Sequence, residues 1–159
     1  MAIKYVCNNE DLIKQIAHAV FGSDEDIRFT EEFVPKAGRI PAPKRDNFSQ
    51  FLTYGPKYLW AVFPDDSTIK PVGFILIADR PHFNSIGFGI NKRFSKQGLM
   101  SKAWLEIKNS PEWNQVTFPL FGNTSQRNIA ANKFLQKIGF KFLNEFKFMG
   151  EPSNHYEYS

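Results

Sequence analysis

The chain has 159 residues, of which 42% are hydrophobic and 16% aromatic, and this composition excludes a disordered or low-complexity protein. Twenty lysine and arginine residues against 16 acidic residues give a net charge of +4, which is too small by itself to indicate a nucleic-acid-binding protein. A chain of this length can bury roughly 70% of its unfolded surface in one core, so we expect residues 1–159 to form a single domain.

Cysteine and histidine usage points away from disulfides and metal ions. Cys7 is the only cysteine, which rules out an intramolecular disulfide and favours the reducing cytoplasm. His18, His82 and His155 do not have the spacing of a zinc site, so we expect no metal and interpret each as a structural or surface residue. The N-terminal residues do not resemble a signal peptide, and no apolar run reaches about 18 residues, so we expect no membrane association.

The N-terminal third predicts a strand, a helix and a long connection. Residues 3–7 have the composition of a short strand, and Asn8 or Asn9 can cap the helix that follows. Residues 23–56 contain several prolines, lysines and arginines, and are either a solvated connector or a lid that contacts substrate. The helix ends at Gly22 and has an apolar stripe at helical spacing, formed by Leu12, Ile13, Ile16, Ala17, Val20 and Phe21.

The remainder of the chain predicts six strands and two helices. The helices have apolar stripes from Leu99 to Ile107, before Pro111, and from Ala130 to Ile138, before Gly139. The strands are predicted at residues 58–63, 72–78, 85–90, 116–121, 140–148 and 155–158. The short separation of the first two favours an antiparallel hairpin, and Pro119 indicates a bulge or an unpaired edge in the fourth. This order predicts an α/β fold with a mixed sheet.

The strand at residues 85–90 carries a pair of glycines. Alternation places Ile86, Phe88 and Ile90 on one face and Ser85, Gly87 and Gly89 on the other. Two glycines on one face of a strand leave an open strip. Either a ligand can approach the backbone there, or a helix can pack closely against it.

A basic loop follows this strand. It contains Lys92, Arg93 and Lys96, and Gly98 precedes the predicted helix start at Leu99. Backbone N–H groups at a helix N-terminus bind anions, and a glycine allows close contact, so this loop suits a pyrophosphate. The alternative is an ordinary exposed helix start with surface lysines.

Two segments resemble the GNAT superfamily of N-acetyltransferases. The sequence from Asn128 to Phe140 resembles its N-x-x-(S/A)-x-x-x-(L/Y)-x-x-x-G-F segment, and Gly98-Leu-Met-Ser-Lys-Ala resembles the start of its preceding helix. The similarity is greatest to the branch that acetylates the N-terminal amine of ribosomal proteins. The resemblance implies a mixed, mostly antiparallel central sheet of about six to seven strands flanked by helices.

The resemblance also implies a site for acetyl-CoA. The strand at residues 85–90 would diverge from the strand at residues 116–121, and the pantetheine arm would bind the backbone of the former. Asn128 would reach this arm or a bound water, although it can also cap its own helix. The implied cofactor-binding residues are Phe88, Gly89, Ile90, Ser95, Lys96, Gln97, Gly98, Leu99, Met100 and Asn128, with Ser95–Met100 around the pyrophosphate.

The chain departs from the family pattern where proton transfer occurs. Leu135 occupies the position of the tyrosine that protonates the leaving thiolate in many members, and Ser85 that of the glutamate that deprotonates the amine. Cofactor binding is therefore better supported than catalysis. The candidate catalytic residues are Ser85 and Asn128. Candidate replacement bases are Glu31, Glu32 and His82, and candidate replacement acids are Tyr54 and Tyr156.

The leading interpretation is an acetyl-CoA-dependent N-acetyltransferase in which a primary amine attacks the thioester directly. The acceptor would be an amine-bearing small molecule or a peptide N-terminus, and a homodimer is a possible assembly. One alternative is a catalytically degenerate GNAT domain that binds CoA, a protein or a peptide without turnover. Another is a nucleic-acid module on residues 35–45, which we disfavour because aromatic and basic residues do not interleave there.

Overall fold

The computed structural model of the protein describes residues 3–5, 9–21, 56–64, 70–80, 83–95, 97–148 and 150–159. The predicted basic connection lies outside the described residues. So do Cys7, Gly22, Glu31, Glu32, Tyr54, His82 and Lys96.

Seven strands of the described chain form one sheet in the order β1-β2-β3-β4-β5-β7-β6. Neighbouring strands are antiparallel, except that β4 and β5 are parallel. This confirms the predicted mixed, mostly antiparallel sheet. The strands are β1 (Ile3–Tyr5), β2 (Pro56–Val62), β3 (Gly73–Arg80), β4 (Phe83–Ile90), β5 (Leu120–Ser125), β6 (Lys141–Phe148) and β7 (Glu151–Tyr158).

Three α-helices of the described chain flank the sheet: α1 (Glu10–Phe21), α2 (Leu99–Lys108) and α3 (Ile129–Lys137). The start of α1 and the end of α3 agree with the sequence. The Asn9 side-chain oxygen accepts a hydrogen bond from the backbone N–H of Leu12 at 3.1 Å, which selects Asn9 of the two predicted caps. Gly139 has φ 104°, as expected of the residue that ends α3.

The predicted strand at residues 116–121 is wrong in position, because β5 begins at Leu120. Pro111–Gln115 forms a 3₁₀ helix after α2, and Val116 to Pro119 connects it to β5. Proline has no backbone N–H to donate to a sheet, so Pro119 precedes the strand rather than interrupting it. The peptide bond before Pro119 is cis.

The sheet has apolar layers on both faces. One face packs against α2 and α3 and includes the fully buried Trp60, Ile75 and Leu135. The other packs against α1 and includes Ile16 and Leu76. We call these the α2/α3 face and the α1 face.

The glycine strip of β4 belongs to the α1 face, and the helix fills it. A Cβ atom on Gly89 would lie 2.8 Å from Cε1 of Phe74 and 3.2 Å from Cγ1 of Val20. A Cβ atom on Gly87 would lie 3.0 Å from Cδ1 of Leu76. Of the two alternatives, the packed helix is therefore the one found at Gly89, whereas Gly87 meets only a β3 side chain.

Asn132 fastens the first turn of α3 to the sheet. Its side-chain NH₂ donates to the backbone oxygens of Ser125 at 3.0 Å and Asn128 at 2.8 Å. Its side-chain oxygen accepts from the Asn154 amide at 2.9 Å and the Tyr156 hydroxyl at 2.6 Å. One carboxamide thus joins α3 to β5 and β7.

Candidate functional site

The sheet opens between β4 and β5. These strands pair only at Asn84 with Leu120 and at Ser85 with Phe121, and they diverge beyond these pairs. Gly122 stands where the divergence begins. A Cβ atom there would lie 3.1 Å from Cγ2 of Ile86 and 3.2 Å from Cδ2 of Leu135, so glycine lets the two side chains meet across the opening. The expected divergence is present, with β5 shifted from its predicted bounds.

A cavity of about 240 Å³ lies beside this opening, between β4, the start of α2 and α3. It is lined by six of the residues predicted to bind the cofactor: Phe88, Ile90, Ser95, Gly98, Leu99 and Met100. The structure therefore brings residues of β4 and residues at the start of α2 together in one concave site, although the basic loop separates them in the sequence.

The start of α2 forms one end of the cavity. Gly98 is the N-cap residue in the left-handed conformation, with φ 75°, and no described side chain caps the helix there. The first backbone N–H groups of a helix have no partner within it. A Cβ atom on Gly98 would meet no atom within 4 Å. The helix start is thus accessible to an anion.

Two cations at the cavity were not predicted. Lys133 and Lys137 of α3 line it together with Phe134. Their four-residue spacing places them on one side of the helix, and this spacing was the available sequence signal. Of the predicted cations, Arg93 is exposed, its backbone N–H donating to the Asn91 side chain at 3.0 Å, and Lys96 is not described. Among the cations whose side chains are described, those at the cavity come from α3; the Lys92 and Lys96 side chains lie outside the part that the structure describes.

Three predicted cofactor residues lie off the cavity lining. Gly89 faces α1, and Gln97 is exposed in the turn before α2. Asn128 is fully buried, and its side-chain oxygen accepts from the backbone N–H of Ala131 at 3.0 Å, which confirms the N-cap. The Asn128 Nδ2 atom is also buried and has no hydrogen-bond partner among the described residues. Leaving a buried donor unpaired costs roughly 1–3 kcal/mol, so this atom is suited to a ligand or water.

Ser85 is half-buried and lies on the α1 face, opposite to the cavity. Its neighbour across the β4–β5 pair is Phe121. The Phe121 ring stacks on the imidazole of His155, with the centroids 5.2 Å apart and the planes at 7°. Asn123 is hydrogen-bonded to the same imidazole. Ser85 thus borders a polar and aromatic cluster.

Of the positions considered for a proton donor, Leu135 and Tyr156 are buried and Tyr54 lies outside the described residues. Leu135 is fully buried in the core and provides no ionisable group. Tyr156 is 1% exposed, and its hydroxyl donates to Asn132 rather than lining the cavity. The described lining residues of the cavity therefore include no tyrosine.

Neither a metal centre nor a membrane-spanning helix is found in the described part of the chain. No three histidine, cysteine, aspartate or glutamate side chains cluster there in a way that could hold a metal ion. Each helix within the same described ranges is too short or too polar to cross a membrane.

Comparison with known proteins gives a family match and similar structures. A family model described as an acetyltransferase (GNAT) domain matches residues 9–141. A Salmonella typhimurium acetyltransferase that modifies the N-terminal serine of 50S ribosomal subunit protein L7/L12 is 12% identical, with TM-score 0.73 over 99% of this chain and 95% of that one. The ribosomal-protein-S5-alanine acetyltransferase of Vibrio fischeri is 14% identical, with TM-score 0.70 over 99% and 93%.

A third similar structure contains a ligand. It is the RimL ribosomal L7/L12 α-N-protein acetyltransferase in complex with coenzyme A, which is 13% identical, with TM-score 0.70 over 99% of this chain and 94% of that one. A search of curated proteins finds no significant match. At these identities, the structural matches show a common fold.

Proposed function

The chain belongs to the GNAT family of acetyltransferases, and from this we propose that it transfers the acetyl group of acetyl-CoA to a primary amine by direct attack. Family membership makes it an acyltransferase, and the family uses acetyl-CoA. The observation that carries the proposal is the cavity beside the β4–β5 opening, which ends at the uncapped start of α2. We propose that residues 1–159 act as a single GNAT-like domain in the cytoplasm.

The apolar part of the cavity lining suits the pantetheine arm of acetyl-CoA. The backbone of Phe88, Gly89 and Ile90 would bind the pantetheine arm along β4. The buried Asn128 Nδ2 atom would donate to a carbonyl of that arm or to a water beside it. An apolar wall and an unpartnered buried donor suit a long, mostly apolar chain with few amide groups.

The pyrophosphate would lie at the start of α2. Backbone N–H groups in the loop from Ser95 to Met100, which includes Lys96, Gln97, Gly98 and Leu99, would donate to its oxygens. Lys133 and Lys137 would add positive charge from α3. Because Gly98 leaves open space, a phosphate can approach the backbone closely.

We propose that the acceptor is a peptide or protein N-terminus, with a small amine as the second possibility. The support is the similarity in fold to enzymes that act on ribosomal protein N-termini. Ser85 would hold a water or the amine on the α1 face, opposite to the cofactor cavity. Alignment of the amine with the thioester supplies much of the rate acceleration in such transfers.

A catalytically degenerate domain is the second candidate. The specific observation in its favour is that Leu135 and Ser85 provide neither the acid nor the base found in many relatives, and Tyr156 is engaged inside the core. Such a protein would bind CoA in the same cavity without transferring the acetyl group.

Two measurements on the full chain separate these candidates. Calorimetry with acetyl-CoA tests the cavity assignment, and we expect a micromolar Kd. Thiol release is then measured over a panel of serine-initiated and alanine-initiated peptides and small amines, with N-terminally blocked peptides as the matched controls. Binding with thiol release from free peptides alone supports the enzyme. Binding without release from any acceptor supports the degenerate domain.

A further inference from the structure

His155 lies in a cluster on the face of the sheet opposite to the cavity. Alternation along β5 and β7 places Phe121, Asn123 and His155 together on the α1 face, and Phe146 joins them from β6. The side chains meet although Asn123 and His155 are 32 residues apart in the chain. His155 is half-buried, so part of its ring is accessible.

With the Asn123 side-chain oxygen facing the imidazole, the hydrogen bond between them assigns one tautomer to the ring. Nδ1 of His155 is bonded to the side-chain oxygen of Asn123. A carboxamide oxygen can only accept, so Nδ1 must carry the hydrogen and donate it. In the neutral ring, Nε2 then has a lone pair and can accept a proton. A histidine whose Nδ1 is bonded in this way is oriented as a general base.

Two aromatic rings fix the plane of the imidazole. Phe121 stacks on it in parallel, and the Phe146 ring stands at 84° to it with the centroids 6.1 Å apart. The charged groups that face this position within the described chain are Glu157, two residues further along β7, and Lys141, which pairs with Glu157 from β6. Asn144, opposite His155 on β6, is uncharged.

The cluster lies beside the opening of the sheet. Asn123 is two residues beyond Phe121, the last β5 residue that pairs with β4. His155 is directly across from Asn123 on β7. His155 lies two strands away from β4, and because β4 and β5 diverge beyond Phe121, its backbone is farther from β4 than two ordinary strand spacings of about 4.8 Å each. An acceptor bound over Phe121 would have Ser85 on one side and His155 on the other.

We infer that His155 is the general base for the acceptor amine, that Asn123 is its positioning residue, and that the acceptor binds over Phe121. This inference rests on the proposed acetyl transfer and names the base that Ser85 does not provide. A protonated amine gives one proton to Nε2 of His155, and the neutral nitrogen forms a bond to the thioester carbonyl carbon. The carbon–sulfur bond then breaks with its electron pair on sulfur. The nitrogen loses its second proton; one proton reaches the thiolate and one is released to solvent.

The test compares His155→Asn with the parent in the full chain, using a serine-initiated peptide and its N-terminally acetylated copy. Asparagine retains an N–H donor near the position of Nδ1 but has no basic nitrogen. We expect kcat/KM near neutral pH to fall by roughly 10²-fold, the lower end of general-base effects. Because asparagine cannot accept the proton of the amine, we expect the variant's activity to rise only at higher pH, where solvent deprotonates the amine, with an unchanged Kd for acetyl-CoA.

The matched control is His18→Asn, on the exposed surface of α1, which we expect to keep the parent pH profile. Nitrogen-15 NMR of the parent should show the Nδ1–H tautomer of His155, and Asn123→Ala should lose it and lower kcat/KM to a smaller extent. An active parent whose His155→Asn variant keeps the parent profile overturns the base assignment alone, as does an Nε2–H tautomer. A parent inactive on every acceptor overturns the proposed function and this inference together.

Discussion

Replacing Gly98 at the start of α2 tests where the pyrophosphate binds. Gly98→Glu puts a carboxylate where the cavity meets the helix N-terminus, and Gly98→Ala is the matched control. Both variants force a side chain into the left-handed conformation at φ 75°, which costs roughly 1–2 kcal/mol of stability. Because a Cβ atom meets nothing within 4 Å, neither variant clashes. The two variants therefore differ in the length and charge of the added side chain.

The charge term can be estimated from Coulomb's law. A carboxylate about 6 Å from a pyrophosphate with about two negative charges is repelled by roughly 1.4 kcal/mol at the dielectric constant of water, and by about four times as much at an effective value near 20. Gly98 is exposed, so the estimate near the water value applies. About 1.4 kcal/mol corresponds to a tenfold change in Kd. We therefore expect Gly98→Glu to bind acetyl-CoA about tenfold more weakly than Gly98→Ala at low salt.

The assay is calorimetry of both variants with acetyl-CoA at low and high salt, with thermal melts as the folding control. The difference between the variants should shrink as salt increases, because ions screen exposed charges. If folded Gly98→Glu binds acetyl-CoA as tightly as Gly98→Ala, the pyrophosphate is not at this helix start and the assignment of the cavity is refuted.

Three further substitutions probe the rest of the site. Asn128→Ser keeps a capping oxygen, so we expect a melting temperature near the parent value. Because the variant loses Nδ2, we expect acetyl-CoA binding to weaken by about 2–12-fold, the value of one neutral hydrogen bond. Unchanged calorimetric affinity would contradict this. Lys133→Ala should weaken binding most at low salt, whereas the control Lys147→Ala on β6 should not; equal effects would remove Lys133 from the site. In the His155→Asn background, Ser85→Glu should lower the pH at which thiol release begins without changing the Kd for acetyl-CoA. If the pH profile of thiol release is unshifted, a carboxylate at position 85 does not act as a base.

The helices were predictable because their local signals agree. Apolar residues at helical spacing, a capping asparagine before the helix and a glycine after it mark α3, and the structure has all three. Six residues assigned to the cofactor from family motifs line one cavity, in β4, in the loop after it and at the start of α2, and their role in binding stays a prediction. Local patterns and motifs are sufficient to predict elements whose contacts are close together in the chain.

Features that depend on distant contacts were not predictable in the same way. Residues Val116 to Pro119 have the composition of a strand. The strand nevertheless begins only after Pro119, because proline has no backbone N–H to donate to a neighbouring strand. The direction in which Gly89 faces was predicted by alternation, but its contact with Val20 depends on the packing of α1. The Asn123–His155 hydrogen bond depends on the register between β5 and β7, which the sequence alone does not give.

The carboxamide of Asn132 has a consequence for the dynamics of the molecule. Its four hydrogen bonds span residues up to 24 positions away, so the first turn of α3 can unfold only if contacts to β5 and β7 are broken with it. Regions fastened in this way exchange their amide hydrogens slowly, in one cooperative unit with the strands that hold them. On the opposite wall, no side chain in the described part of the chain caps the start of α2. While this unit stays folded, α3 keeps Lys133 and Lys137 in place at the cavity.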